Sequence, residues 1–281
     1  MKAFVLCRLG GPVETILSIA GHIGLVSFAL AALAYLWAFQ QRVGGEKFEK
    51  LGFALLSVAT ITSVISYTYN PFSAERPLSA GLLLASILGA LSIFIYWRFK
   101  AKIIGVFTSP VATLAILAQA FSEPPDRLVG TQLPPGLLQA HVLLAVCGEA
   151  FAIVAFAAAC LLLRQQKVLK KKILSQMTET RPALDRLSSL LSTSVWIGFV
   201  LLTFGLITGT YVHKALGFDQ GYRSSIQPKI VWAVCVWVWY LAILLARNAL
   251  NWPSRKIAQM CVAGFVLMAL SLFGLTPPWG Q

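Results

Sequence analysis

The sequence predicts an all-α fold, a polytopic membrane helix bundle of about eight transmembrane helices forming one integral-membrane domain over residues 1–281. Three observations predict it. Hydrophobic residues make up 58% of the chain and charged ones only 12%, against about 25% charged in globular proteins, so a water-facing surface cannot be covered. The apolar residues come in runs of about 20 residues, and at 1.5 Å per residue such a run crosses a hydrocarbon core of about 30 Å. The basic residues gather in the short joints between runs.

In chain order the spans fall at about 16–39, 51–70, 78–97, 103–121, 136–163, 191–212, 229–249 and 257–274. Met1 to Arg8 is too short for a cleaved signal and no small-x-small site follows, so the first span is expected to remain in the protein. The joints after the odd-numbered spans hold Arg42, Lys47 and Lys50, then Arg98, Lys100 and Lys102, then seven basic residues between Arg164 and Arg186, and finally Arg247, Arg255 and Lys256. That is sixteen, against seven on the other side. The positive-inside rule then puts both termini outside the cytoplasm of a bacterial cytoplasmic (inner) membrane. It also explains the net charge of +13 without nucleic acid. The longest joint, Arg164 to Leu190, reads as a basic helical continuation lying near anionic membrane lipids. The five cysteines stand mostly inside apolar runs with no CxxC pair, which points to inert thiols.

Polar residues within the spans are few. The three histidines, His22, His141 and His213, all fall in the outer leaflet under this orientation. A neutral imidazole is a good axial ligand for haem iron, and an apolar pocket suits the macrocycle; interfacial histidines also bond headgroups or neighbouring helices, the reading that suits His22 better. Glu149, the one acidic residue deep in a span, costs about 2.5–3.5 kcal/mol to insert when charged, so it is a candidate functional carboxylate. It is either protonated and bonded to a hydroxyl on another span or part of a proton relay. It follows His141 by eight positions, about 12 Å along the helix, so the two line one cavity at most and do not touch. Gly205 and Gly209 form a GxxxG pair, which by itself means close helix packing. Trp232, Trp237, Trp239 and Tyr240 crowd the seventh span, some as an interfacial belt and others as aromatic walls.

Several stretches, in order, resemble the cytochrome c assembly family that includes CcsA and CcmC, and especially its HemX-like branch. Gly105-Val106-Phe107-Thr108-Ser109-Pro110 is similar to the family's GxFxxP, and His141-Val142-Leu143-Leu144 to its HVxL helix. Arg181 to Leu187 resembles the PxLxxLxRL approach to the next span. Gly198 to Gly209 resembles GFxLLTxGIxxG, and Pro228-Lys229, Trp232 and Trp237 resemble DPKxxWxxxxW. Arg247 and Trp252 are similar to the loop that follows, so the resemblance covers residues 105–275. It implies haem b as cofactor, with His141 and His213 as iron ligands. Tyr222 and Trp232 are then aromatic walls, and Lys214, Arg223 and Lys229 partners for the propionates.

The departures are equally specific. Gln220 to Pro228 replaces the haem-presenting WGxYWxWDP loop, Leu245 stands where a membrane histidine occurs, and no histidine follows the last span. The resemblance therefore implies an accessory haem-handling factor rather than a complete haem-attachment enzyme, with other cytochrome assembly proteins as partners. The alternatives are a HemX-like regulator or scaffold of tetrapyrrole synthesis without bound haem, whose basic 164–190 joint contacts a cytoplasmic enzyme, and a permease using Glu149.

Overall fold

The computed structural model describes residues 12–40, 45–69, 79–99, 104–120, 135–171, 177–215 and 223–274. Among them stand eight helices: α1 (Pro12–Gln40), α2 (Glu46–Tyr69), α3 (Ser79–Phe99), α4 (Gly105–Ala120), α5 (Pro135–Lys171), α6 (Met177–Ala215), α7 (Arg223–Asn248) and α8 (Ser254–Gly274). Each falls on one of the eight expected spans. Six are long and apolar enough to cross a membrane, and α4 is a shorter apolar helix. The 21 residues of α8 reach about 31 Å. The chain is an all-α integral membrane protein. Helices α5 and α6, with 37 and 39 residues, outrun the hydrocarbon. The basic joint between them is helical up to Lys171 and again from Met177, while residues 172–176 lie outside the described residues.

The chain divides into two compact units, Met1–Ile93 with Ser109–Pro125, and Phe94–Thr108 with Asp126–Gln281. In the first unit α1 and α2 form an antiparallel pair. A Cβ on Gly24 would stand 2.9 Å from the Ser63 hydroxyl, one on Gly21 3.4 Å from Ser66, and one on Gly52 3.1 Å from the Tyr35 ring. Gly89 of α3 packs just as tightly on Thr60 of α2. Several of the hydroxyls buried in this unit are made tolerable in lipid by bonds back along their own helices, whereas Ser63 Oγ is buried without a hydrogen-bond partner. Thr60 donates to Leu56 O, Ser86 to Leu82 O and Ser92 to Leu88 O, each at 2.7 Å. In α4, Pro110 lacks the amide that would bond the carbonyl one turn back. Hydroxyls flank it, with Thr113 donating to Ser109 O at 2.9 Å.

The second unit is built round α5. Ala150, Ala155, Ala157, Ala158 and Ala159 are fully buried there, and small side chains let neighbouring backbones come close where lipid gives no hydrophobic drive to helix association. Helix α5 packs on α6 and α8, and α7 bridges α8 and α6. Phe156 of α5 stacks on Phe265 of α8 with ring centres 4.0 Å apart and meets Phe107 edge-on. Trp239 of α7 donates its indole N–H to Met260 O of α8 and lies against Gly264. The turn into α8 is closed by its own backbone: the amides of Ala249 and Leu250 return to Leu245 O and that of Trp252 to Ala246 O, with Asn251 at φ 48°. Asparagine tolerates this left-handed conformation better than most residues.

A Cβ on Gly148 would stand 2.9 Å from the Leu202 side chain and 3.1 Å from its backbone N, whereas one on Gly136 meets nothing within 4 Å. Gly148→Val is expected to destabilise the detergent-solubilised protein by about 1–3 kcal/mol through overpacking. Gly136→Ala should leave it unchanged or more stable by up to about 1 kcal/mol; thermal unfolding of the two variants against the parent checks both.

Candidate functional site

Along the α5–α6 seam the two helices run antiparallel with small residues on both faces. Position 141 of α5 meets Gly209 of α6, Ala145 meets Gly205, Gly148 meets Leu202, and Ala152 meets Gly198. These α5 positions recur every three or four residues, so they form one stripe. The imidazole of His141 closes the stripe at its end nearest the start of α5. It lies directly over Gly209, where an added Cβ would stand 2.8 Å from Cε1. No larger residue fits beneath the ring in this pose.

Two groups of α6 hold the imidazole by one nitrogen. His141 Nδ1 stands 2.9 Å from Gly205 O and 3.2 Å from Thr208 Oγ1. The Thr208 hydroxyl is itself within 2.9 Å of Phe204 O and 3.0 Å of Gly205 O, so its single hydrogen goes to a backbone carbonyl. Nδ1 is then the donor to Gly205 O, and the Nε2 lone pair is left as the acceptor of the ring. A backbone carbonyl on one ring nitrogen is how a ligating histidine is commonly oriented and its tautomer chosen. His141 is half-buried and turned into α6 rather than out into lipid.

The other sequence-predicted residues are distributed as follows. Position 213 lies on α6 four residues past Gly209, continuing the 205–209 line one turn further, about 6 Å; the side chain of His213 lies outside the described residues. Arg223 opens α7 and Lys229 follows on it, but their side chains, and Tyr222 altogether, lie outside the described residues. The Trp232 indole donates to Leu267 O at 2.9 Å, which turns it to the α7–α8 seam. Glu149 is half-buried on α5, about 12 Å along the axis from His141. His22 is exposed on α1, in the other unit.

Sequence reasoning missed Thr208, the Gly205 carbonyl and Thr203, which accepts the Trp237 indole N–H at 2.9 Å while Phe199 stacks on that indole at 5.5 Å. Their signal was in the sequence, since Thr203 and Thr208 interleave with the glycines of α6. An open hollow of about 340 Å³ lies round α6 from the histidine seat, lined among the described residues by Leu206, Ile207, Thr210 and Tyr211. Among the described residues no three His, Cys, Asp or Glu side chains gather round one point. A haem asks less of the protein, because its macrocycle supplies the equatorial nitrogens and the chain only axial ones.

These features define an integral membrane helix bundle that presents a tautomer-selected imidazole from a small-residue seam. The chain belongs to the cytochrome c assembly family: the family model described as "Cytochrome C assembly protein" matches residues 75–277, taking in α3 as well as the stretch from which the resemblance was read. It is similar to the cytochrome c biogenesis protein CcsA of Guillardia theta, 24% identical over 253 residues covering 80% of this chain and 81% of that one. It is also similar to CcsA of Prochlorococcus marinus strain MIT 9303, 25% identical over 298 residues covering 90% and 89%. A shorter stretch of 92 residues, 32% of this chain, is 35% identical to CcsA of Prochlorococcus marinus strain MIT 9312. No solved structure matches the chain.

The hydrogen-bond pattern predicts an imidazole protonated at Nδ1 and bare at Nε2. Nitrogen NMR of the histidine-labelled protein should show that tautomer for His141, and Gly209→Leu should abolish its distinct signal. A His141 resonance of the opposite tautomer would contradict the arrangement.

Proposed function

We propose that this chain is a membrane haem-handling factor of cytochrome c assembly, accessory rather than a complete haem-attachment enzyme, and that His141 is its axial ligand. The observation that carries the reading is the imidazole held by Gly205 O through Nδ1, which leaves Nε2 as a neutral donor in an apolar setting. The residues present fit haem b in this respect. Bound haem would supply an iron that takes a neutral imidazole nitrogen, and two carboxylates that need cationic partners.

The chain's own residues then divide the work. His141 supplies the fixed nitrogen, while Thr208 and the Gly205 carbonyl orient it. Position 213, one turn beyond Gly209, offers a second imidazole. Lys214, Arg223 and Lys229 cluster in sequence at the same end of α6 and α7 and suit the propionates, with Tyr222 and Trp232 as aromatic neighbours. The accessory assignment rests on Gln220 to Pro228, which lacks the tryptophans and aspartate of the family's presenting loop. It also rests on Leu245, which is 54% exposed on α7 where a lipid-facing residue is at home and a ligand is not. The sixteen-to-seven distribution of basic residues supports insertion in a bacterial cytoplasmic membrane with both termini outside. Other cytochrome assembly proteins are the partners this role requires.

Haem loading tests the reading. The purified protein is expected to take up haem with a Soret band, and His141→Gly should lose that band and regain it with added imidazole. A Soret band unchanged in His141→Gly would overturn the assignment. Removing the charges of Arg223 and Lys229 together should weaken haem retention by about 1.5–3 kcal/mol, the range for hydrogen bonds to charged groups, measured by competition with apomyoglobin.

A further inference from the structure

Glu149 stands on the face of α5 that α8 covers. Helix α8 runs antiparallel to α5, since Leu163 and Lys167 share a hollow with Arg255 and Gln259 while Phe156 stacks on Phe265. Glu149, Phe156 and Leu163 follow one another at intervals of seven along that face. We propose that Glu149 is a proton-binding site, filled and emptied from the side of the membrane on which α5 begins. The inference is independent of haem and of His141.

Nothing beside the carboxyl holds it in one charge state. Among the described residues it makes no hydrogen bond and no ion pair. The elements packed round this part of α5 bring it no titratable group. Helix α6 carries none from Leu191 to Ile207, α8 none from Phe265 to Gly274, and none accompanies Phe107 between Ile104 and Thr108. On α5 itself Cys147 lies on the other side of the helix and His141 about 12 Å along it. A carboxylate without a cation is costly within a bilayer, so the resting group carries a proton. That proton is exchangeable, because the oxygens are not sealed: the fully buried oxygens without a partner are those of Ser63, Ser109, Gln165, Gln166 and Tyr240.

The packing on either side of Glu149 decides the direction of exchange. Toward the basic joints, Phe156 stacks on Phe265 at 4.0 Å and meets Phe107 edge-on at 5.8 Å, and this aromatic cluster closes the α5–α8 seam. In the other direction the seam runs out. Glu149 lies seven residues beyond Phe156 and α8 ends at Gly274, nine beyond Phe265, so the carboxyl is level with the last turn of α8, about 10 Å past the cluster. From there α5 continues to Pro135 with no α8 beside it among the described residues. The last turn of α8 also presents carbonyls that have no amide partner within the helix, and the negative end of a helix favours a bound proton over a bare carboxylate.

The test uses the full chain in sealed proteoliposomes in which added trypsin does not cut at Lys170 to Lys172, so that the bath faces the side where α5 begins. A lipid-soluble carbodiimide, which attacks protonated carboxyls and crosses the bilayer freely, is expected to label Glu149, with the adduct located by peptide mass and absent from Glu149→Gln. Raising the bath pH should cut the labelling rate, by about tenfold per unit once the group ionises, whereas raising the lumen pH should not. The carboxylic C=O band that Glu149→Gln removes from the infrared spectrum should fade over the same range of bath pH. Labelling and a band that follow the lumen pH, or that stay constant whichever side is titrated, overturn the proposal. So does the absence of any Glu149-dependent carboxylic band at neutral pH.

Discussion

Close approach of two backbones along the α5–α6 seam governs what the second unit can do. In lipid the helices gain little from hiding apolar surface, so contact must come from dispersion between well-fitted surfaces. Glycine and alanine on facing stripes supply that fit: Gly198, Gly205 and Gly209 on one side, Ala145, Gly148 and Ala152 on the other. The same closeness lets an imidazole on α5 reach a main-chain carbonyl of α6, because Gly205 O is within 2.9 Å of Nδ1. Packing and ligand geometry are one arrangement here. Widening the seam loosens both.

The two units solve the problem of burying polar groups in different ways. In the first, serines and threonines lie inside, several of them bonded to carbonyls of their own helices, and they fill small volumes opposite glycines. In the second, tryptophans carry the polar contacts of α7 with its neighbours. Trp232 and Trp239 bond α8 carbonyls and Trp237 a threonine of α6. Each indole has one donor on a large apolar body, so it contributes both packing and direction. This binds α7 to its neighbours although most of its surface looks outward.

The spans were legible because lipid imposes a length and an apolarity that hydropathy reads directly, and the eight expected segments coincide with α1 to α8. Boundaries were less so: α5 and α6 continue well past the apolar runs, since helix formation does not stop where hydrocarbon does. His141 could be singled out as a polar residue at a costly depth, and the glycines of α6 as a packing face. That the one rests on the other could not be read, because pairing between helices leaves no periodic trace in either. The tautomer of His141 depends on a carbonyl that every residue possesses.

The short connection between α7 and α8 has a consequence for biogenesis. With Asn251 in the left-handed region and the last amides of α7 folded back on its own carbonyls, the link between the helices is completed locally and spans only five residues. Such a link is too short to let one helix enter the bilayer while the other waits outside it. Arg247, Arg255 and Lys256 flank it as charges that stay behind, with Lys256 resting over the Trp252 ring at 5.1 Å. The two segments would pass from the insertion machinery into lipid as a single hairpin, arriving with their tryptophan contacts already aligned.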